Sequence, residues 1–243
     1  MLELGVKFLI SYFIGSLMGA MVVGRIRGGV DIRTMGSGNA GGTNALRTQG
    51  FGFALGVVLI DVGKGVIGAG VVPGLEIPFA PTDPEISRTW LMMCCAAAAV
   101  IGHVWPIYHG FRGGKGAATL IGTLLILAPK LIPIMLLVFA VMVVLTGYVG
   151  LSTMTAAAAL PLWLGITRLP DEQPLFIYAV SMALFIMYCH RANIRRMYQG
   201  NENRNTRVML FAKRGTAPRK EVDLFRIHTC RHQIGNAIED CLA

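Results

Sequence analysis

Residues 131–149 read LIPIMLLVFAVMVVLTGYV, from Leu131 to Val149, without one charged side chain. A helix of that length covers close to the roughly 30 Å of hydrocarbon in a bilayer, where backbone groups must pair with one another because no water is present. Outward from it, comparable runs occupy 4–23, 51–72 and 90–107, and shorter apolar runs occupy 116–128, 152–166 and 175–189. With 54% hydrophobic and 14% charged residues among 243, the chain is far more apolar than a soluble domain of its size. The expected fold class is all-α, a polytopic membrane protein.

Charge orients the connections. Residues 24–47 carry Arg25, Arg27, Arg33 and Arg47 against Asp31, residues 102–119 carry Arg112 and Lys115, and the tail from His190 holds eleven Lys or Arg against five acids. That tail supplies most of the net charge of +9. Basic connections face the cytoplasm. By contrast 74–87 carries Glu76, Asp83 and Glu85, and 168–174 carries Asp171 and Glu172, so these face outward. Two spans between Arg47 and Arg112 and four between Lys115 and His190 satisfy the pattern, which predicts seven helices with the N-terminus outside and the C-terminus cytoplasmic. Were 116–128 only re-entrant, His190 would fall on the opposite face from Arg47 and Lys115.

Several function classes fall away. The five cysteines, Cys94, Cys95, Cys189, Cys230 and Cys241, form no disulfide framework, and His228, Cys230, His232 and Cys241 fit no zinc spacing. The tail bases lack the interleaved aromatic platform of a nucleic-acid binder and read as topology and attraction to anionic lipid. The amino end has no basic region ahead of its apolar run, so the first helix reads as a retained span, with Lys7 snorkelling to the outer surface. Asp61 and Lys64, three residues apart in an apolar run, should pair, because an unpaired charge there costs at least about 2.5–3.5 kcal/mol. Gly15/Gly19 and Gly52/Gly56 read as close helix packing.

Glycine, cations and hydrogen-bonding side chains concentrate in three stretches: Gly36-Ser37-Gly38-Asn39-Ala40-Gly41-Gly42-Thr43-Asn44-Ala45-Leu46-Arg47, then residues 102–119, then His190-Arg191-Ala192-Asn193-Ile194-Arg195-Arg196. Glycines let N–H groups converge on an anion, hydroxyls and amides add donors, and Arg or Lys adds charge. The first stretch matches G-x-G-x-x-G, but it joins two spans instead of following a strand. Gly113-Gly114-Lys115-Gly116 is likewise an incomplete P-loop, with His109 at the first glycine position and Gly116 where Ser or Thr belongs. An interfacial turn explains the first stretch alone; a second glycine- and cation-rich stretch on the same face argues for a shared phosphate site. His190 and Asn193, one helical turn apart, read either as a helix end with its dipole partner or as a hydrogen-bonding pair that orients a polar substrate or takes a proton.

On these residues the sequence resembles the bacterial acyl-phosphate:glycerol-3-phosphate acyltransferase family. The first family motif stands as Asp31-Ile32-Arg33 with 36–47, followed by Asp61, Lys64 and Gly65. The second is Gly102-His103, Pro106 and 111–119, and the third is 190–196 with Gly200 and Glu202. Departures are Gly42 for the usual alanine, Arg112 for lysine, Met18 for proline, and Gly147 where arginine often precedes Tyr148.

The resemblance implies an integral enzyme of the bacterial plasma (inner) membrane with its active site facing the cytoplasm. It would transfer a fatty acyl group from acyl phosphate to the 1-hydroxyl of sn-glycerol 3-phosphate, the first step of phospholipid synthesis. It also implies no metal, nucleotide, coenzyme A or other cofactor, and a metabolic link to a soluble enzyme that makes acyl phosphate. Residues 1–202 would form the membrane-embedded acyltransferase domain, and 203–243 a cytoplasmic extension of unknown role. Ser37, Arg47, Lys115, His190 and Asn193 are the expected catalytic residues; Gly38, Asn39, Thr43, Asn44, Arg112, Gly113, Gly114 and Gly116 are expected to bind substrate. An anion transporter or a lipid-binding scaffold would use the same donors without making product.

Overall fold

The computed structural model describes residues 1–206 and 208–210. The metal reading at 228–241 and most of the expected extension lie outside the described residues. Within them the chain is helical: α1 (Leu2–Gly15), α2 (Gly19–Ile26), α3 (Gly42–Gln49), α4 (Phe51–Val66), α5 (Arg88–Val104), α6 (Ala117–Leu127), α7 (Ile132–Thr146), α8 (Val149–Thr167), α9 (Gln173–Cys189) and α10 (Arg191–Tyr198). The fold class read from the sequence is therefore all-α.

Among the described residues four helices are long and apolar enough to cross a bilayer: Phe51–Gly74, Arg88–His109, Pro129–Thr146 and Val149–Thr167. The first runs on from α4 through a π-helical turn, Ile67–Val71. Counting α1 with α2, bent by 41°, and α9 with α10, bent by 54°, as single spans raises the number to six. The remaining expected span coincides with α6, a shorter apolar helix. The run at 4–23 is broken at Met18, whose extended backbone (φ −88°, ψ 120°) separates α1 from α2.

The helices approach through small residues, as expected where lipid removes the hydrophobic drive between helices. A Cβ on Gly15 would overlap the Ala99 carbonyl of α5, and one on Gly102 would overlap the Tyr12 carbonyl of α1. α4 and α6 interlock likewise, Gly65 against the Thr119 carbonyl and Gly122 against that of Val62. Gly19 and Gly56 are tight against Val57 and Val23, but Gly52 has only the Arg27 guanidinium nearby, at 3.8 Å, so that glycine does not mark a close approach.

The larger apolar core lies among α5, α6, α8 and α9, with Val100, Leu124, Leu160, Leu164 and Ile186 essentially inaccessible. A second core seats the loop before α3 on α2 and α4 through Met18, Ile32, Ala45 and Val57. Of α7 only Met135 is fully buried, while Ile132, Ile134, Val138 and Phe139 pack partly buried against the larger core.

Lys7 does not snorkel. It is 3% exposed, its ammonium 2.8 Å from buried Glu3 Oε1 and 2.7 Å from the Pro73 carbonyl it donates to. The Arg88 guanidinium closes on the other side of Glu3 at 2.6 and 2.9 Å. A local carboxylate partner removes the need to reach water.

Candidate active site

The first motif is a loop organised by two of its own side chains. Asp31 accepts the Arg33 amide at 2.9 Å and its guanidinium at 2.8–3.2 Å, and this pairing holds its carboxyl below the usual range. Arg33 also donates to the His109 carbonyl at 3.2 Å, tying the first motif to the second. Asn44, 1% exposed, gives Nδ2 to the carbonyls of Ile32 (2.9 Å) and Met35 (3.1 Å), and its Oδ1 accepts the Ser37 amide at 3.0 Å. Both amide protons and Oδ1 are engaged within the loop, which Asn44 thereby shapes. Gly38, at φ +70°, gives its N–H to Met35 and makes the turn.

Around that frame the Ser37 hydroxyl, Thr43 and the Arg47 guanidinium are exposed and without hydrogen-bond partners among the described residues, and half-buried Asn39 likewise keeps its amide free. Gly42 and Thr43 open α3, where helix geometry leaves N–H groups without intrahelical partners.

The second motif folds back on the end of α5. Gly113 N–H donates to Val104 at 3.2 Å and Gly114 N–H to His103 at 3.1 Å, so these two amides, expected to face an anion, are committed to backbone. Gly116, at φ +85°, caps α6. Arg112 is exposed, whereas Lys115 is directed inward and donates to Asn193 Oδ1 on α10.

The third motif receives it. Asn193, 5% exposed, gives Nδ2 to Glu202 Oε1 at 2.6 Å, while Arg196 Nε meets Glu202 Oε2 at 2.6 Å. Buried His190 does not bond Asn193: its Nδ1 lies 2.8 Å from the Ile186 carbonyl. A carbonyl only accepts, so Nδ1 carries the proton and Nε2 is left with the lone pair. Burial first, then the nearby charge of Arg196, pushes the Lys115 ammonium down to about 8; Glu202 opposes this and Arg47 adds to it. The Arg47 charge thus lies within range of Lys115, and residues from all three motifs share one electrostatic neighbourhood.

Glu202 and Arg196 are the members whose importance the residue pattern understated. The available signal was an acid six residues after the last arginine of a basic run. Among the described residues no three His, Cys, Asp or Glu side chains cluster as metal ligands.

The profile of the glycerol-3-phosphate acyltransferase family matches residues 6–200. The glycerol-3-phosphate acyltransferase of Chlorobium luteolum is 38% identical over 221 residues, covering 81% of this chain and 94% of that one. That of Chlorobium limicola is 38% identical over 231 residues, covering 85% and 98%. A crystal structure of PlsY (YgiH), an integral membrane glycerol 3-phosphate acyltransferase in its glycerol 3-phosphate form, superposes with a TM-score of 0.68 at 28% identity, covering 83% of this chain and 94% of that one. This helical membrane chain, with its clustered cations and donors, belongs to the integral membrane glycerol-3-phosphate acyltransferase family.

Proposed function

We propose that the chain transfers a fatty acyl group from acyl phosphate to the 1-hydroxyl of sn-glycerol 3-phosphate, yielding 1-acyl-sn-glycerol 3-phosphate (lysophosphatidate) and inorganic phosphate. The observation that carries this is the junction of Lys115 with Asn193, inside the charge range of Arg47. The charge of Arg47 reaches Lys115, and that of Lys115 reaches His190, whose Nε2 carries a lone pair. An acyl phosphate is a mixed anhydride with a good leaving group, so the enzyme needs no nucleophile of its own; positioning and charge stabilisation suffice.

In this reading Ser37, Arg47 and the first-turn amides at Gly42 and Thr43 hold the acyl-phosphate head, with Asn39 alongside. Lys115 and Arg112 hold the phosphate of the acceptor. The acceptor hydroxyl oxygen attacks the acyl carbon, the carbon–oxygen bond to phosphate breaks, and phosphate leaves with the electron pair. The hydroxyl proton passes to His190 Nε2 or to a substrate phosphate oxygen. Asn193 holds Lys115 in place between turnovers. Gly113, Gly114 and Asn44 serve the site through loop shape.

The same reading takes seven spans, α6 being one, with the N-terminus outside and the site at the cytoplasmic face of a bacterial inner membrane. The charge of the connections supports it. A soluble enzyme would supply the acyl phosphate. Purified protein in detergent, given acyl phosphate and glycerol 3-phosphate, is expected to release phosphate and lysophosphatidate in equal amounts. Product from acyl-coenzyme A but not from acyl phosphate would overturn the donor assignment, and no product from either would favour a transporter or scaffold.

A further inference from the structure

Behind the glycine loop of the second motif are three buried ionisable side chains, Asp61 and Lys64 of α4 and the motif's own His103 of α5, each at most 4% exposed. Lys64 Nζ is 3.0 Å from Asp61 Oδ1 and donates to the Leu17 carbonyl at 2.9 Å. The same carboxylate oxygen accepts the Gly19 amide at 3.2 Å and faces His103 Nδ1 at 3.3 Å. The expected pairing of Asp61 with Lys64 is therefore present; His103 Nδ1 packs beside it but makes no hydrogen bond among the described residues.

The other edge of that histidine ring meets the loop. A Cβ on Gly114 would overlap His103 Nε2 and lie 2.9 Å from Cε1. Gly114 N–H donates to the His103 carbonyl at 3.1 Å, and the next residue is Lys115. Gly114 stays out of the left-handed region that Gly110 and Gly116 occupy, so its lack of a side chain answers to space and not to conformation. Burying a carboxylate, an ammonium and an imidazole in a membrane interior is costly, and similarly shaped apolar residues are often as stable or more so. What they lack is a fixed ring orientation.

We propose that His103 is a positioning residue for Lys115: wedged with one edge against Asp61, its ring props the Gly114 peptide and sets where the Lys115 ammonium meets substrate phosphate. This rests on the reading that Lys115 holds glycerol 3-phosphate. The helix break at residues 17–19 is bound to the same carboxylate–ammonium pair, so α1, α2, α4, α5 and the loop before α6 are referenced to one point.

The test is a double-mutant cycle on the full chain in detergent, with KM for glycerol 3-phosphate read separately from kcat and from KM for acyl phosphate. His103→Asn keeps a polar group beside Asp61 but removes the outer ring edge, and should raise KM for glycerol 3-phosphate about tenfold with kcat within about twofold. Gly114→Ala in the native background should do the same by overlapping the ring. Combined, the added methyl fills the vacated space, and KM should return to within about threefold of native. His103→Gln, which still reaches towards Gly114, should stay close to native. Single losses that multiply in the double variant, or a His103→Gln variant as impaired as His103→Asn, would overturn the proposal. If His103→Asn does not fold, Gly114→Ala decides alone, since an unchanged KM there is equally fatal. Lys115→Ala separates the two layers: if it leaves KM for glycerol 3-phosphate unaltered, the reading of Lys115 fails. If it raises KM while His103→Asn does not, only the role of His103 fails.

Discussion

Lys115 donates a hydrogen bond to Asn193 Oδ1 across seventy-eight residues of sequence, and this bond joins the second motif to the third. It holds an ammonium in a half-buried position beside Arg196, where its charge is harder to keep than in water. Lowered to about 8, the ammonium is charged at neutral pH and loses its proton within an ordinary assay range.

The first prediction concerns that titration. As pH rises through about 8, free enzyme loses the charge that attracts substrate phosphate, so kcat/KM for glycerol 3-phosphate should fall about tenfold per unit above it. Bound phosphate favours the ammonium, so kcat should stay level to higher pH. Lys115→Arg should flatten the alkaline limb, because a guanidinium stays charged there, at a lower overall rate. Stability moves the other way: the unfolded chain holds this proton more tightly than the folded one, so the cost of burying Lys115 is present below about 8 and is relieved as pH rises.

Glu202 and Arg196 should move that limb in opposite directions. Glu202 raises the Lys115 value and Arg196 lowers it, so Glu202→Gln should shift the limb to lower pH and Arg196→Met to higher pH. Glu202→Gln keeps a hydrogen-bonding oxygen for Asn193, which separates the charge effect from loss of the contact. Parallel pH profiles of the two variants with native protein check the signs; a shift of both in the same direction would remove this charge pair from control of Lys115.

His190→Asn isolates proton transfer from architecture. An asparagine amide can still donate to the Ile186 carbonyl, as Nδ1 does at 2.8 Å, but offers no basic nitrogen in place of Nε2. If histidine accepts the hydroxyl proton, kcat under saturating substrates should drop about 10²- to 10⁴-fold with little change in thermal midpoint. Near-native turnover would assign the proton to substrate phosphate.

The all-helical, span-bearing architecture was legible because long apolar runs report on the bilayer, a solvent of fixed thickness. The break at Met18 was not, since the apolar run itself carries no breaker there; the one signal was the family's usual proline at that position. The motifs marked a candidate site, but glycine spacing does not show where amides point, and those of Gly113 and Gly114 turn back to α5. Nor does it reveal that His190 bonds its own helix while Asn193 is held by Lys115 and Glu202. Such choices depend on partners distant in sequence. Packing glycines were only half legible: Gly15 and Gly19 stood out at their spacing, whereas Gly65, Gly102 and Gly122 owe their roles to helices elsewhere in the chain.

Those glycines support a stability prediction. Gly102→Ala and Gly122→Ala place a Cβ against the Tyr12 and Val62 carbonyls, and backbone cannot rotate aside, so each should cost about 1–3 kcal/mol or more. Gly52→Ala meets open space in a helix and should be neutral or stabilising by up to about 1 kcal/mol. Thermal midpoints in one detergent test the contrast, and equal effects at the three positions would argue against the close approaches.

Gly147 supports the last prediction, on the segment that follows Glu202. At φ +74° it ends α7, and its carbonyl accepts the Asn205 amide at 2.8 Å while Arg204 Nε donates to the Thr146 carbonyl at 2.8 Å and Leu210 N–H to Val144 at 3.1 Å. The Arg204 guanidinium lies over the Tyr148 ring at 5.3 Å. A Cβ on Gly147 would sit 2.8 Å from Met209 Sδ and 2.9 Å from Arg204 Cγ, on top of the left-handed strain. Gly147→Ala should therefore lift this strap without unfolding the helices, and trypsin should cut after Arg204 several-fold faster than in native protein, by the population of the opened segment. Gly200→Ala, also left-handed at φ +71° but with open space around it, carries the strain without the overlap. Equal acceleration in both variants would assign the effect to backbone strain alone; acceleration confined to Gly147→Ala would show that the strap is held by its packing on the α7 end.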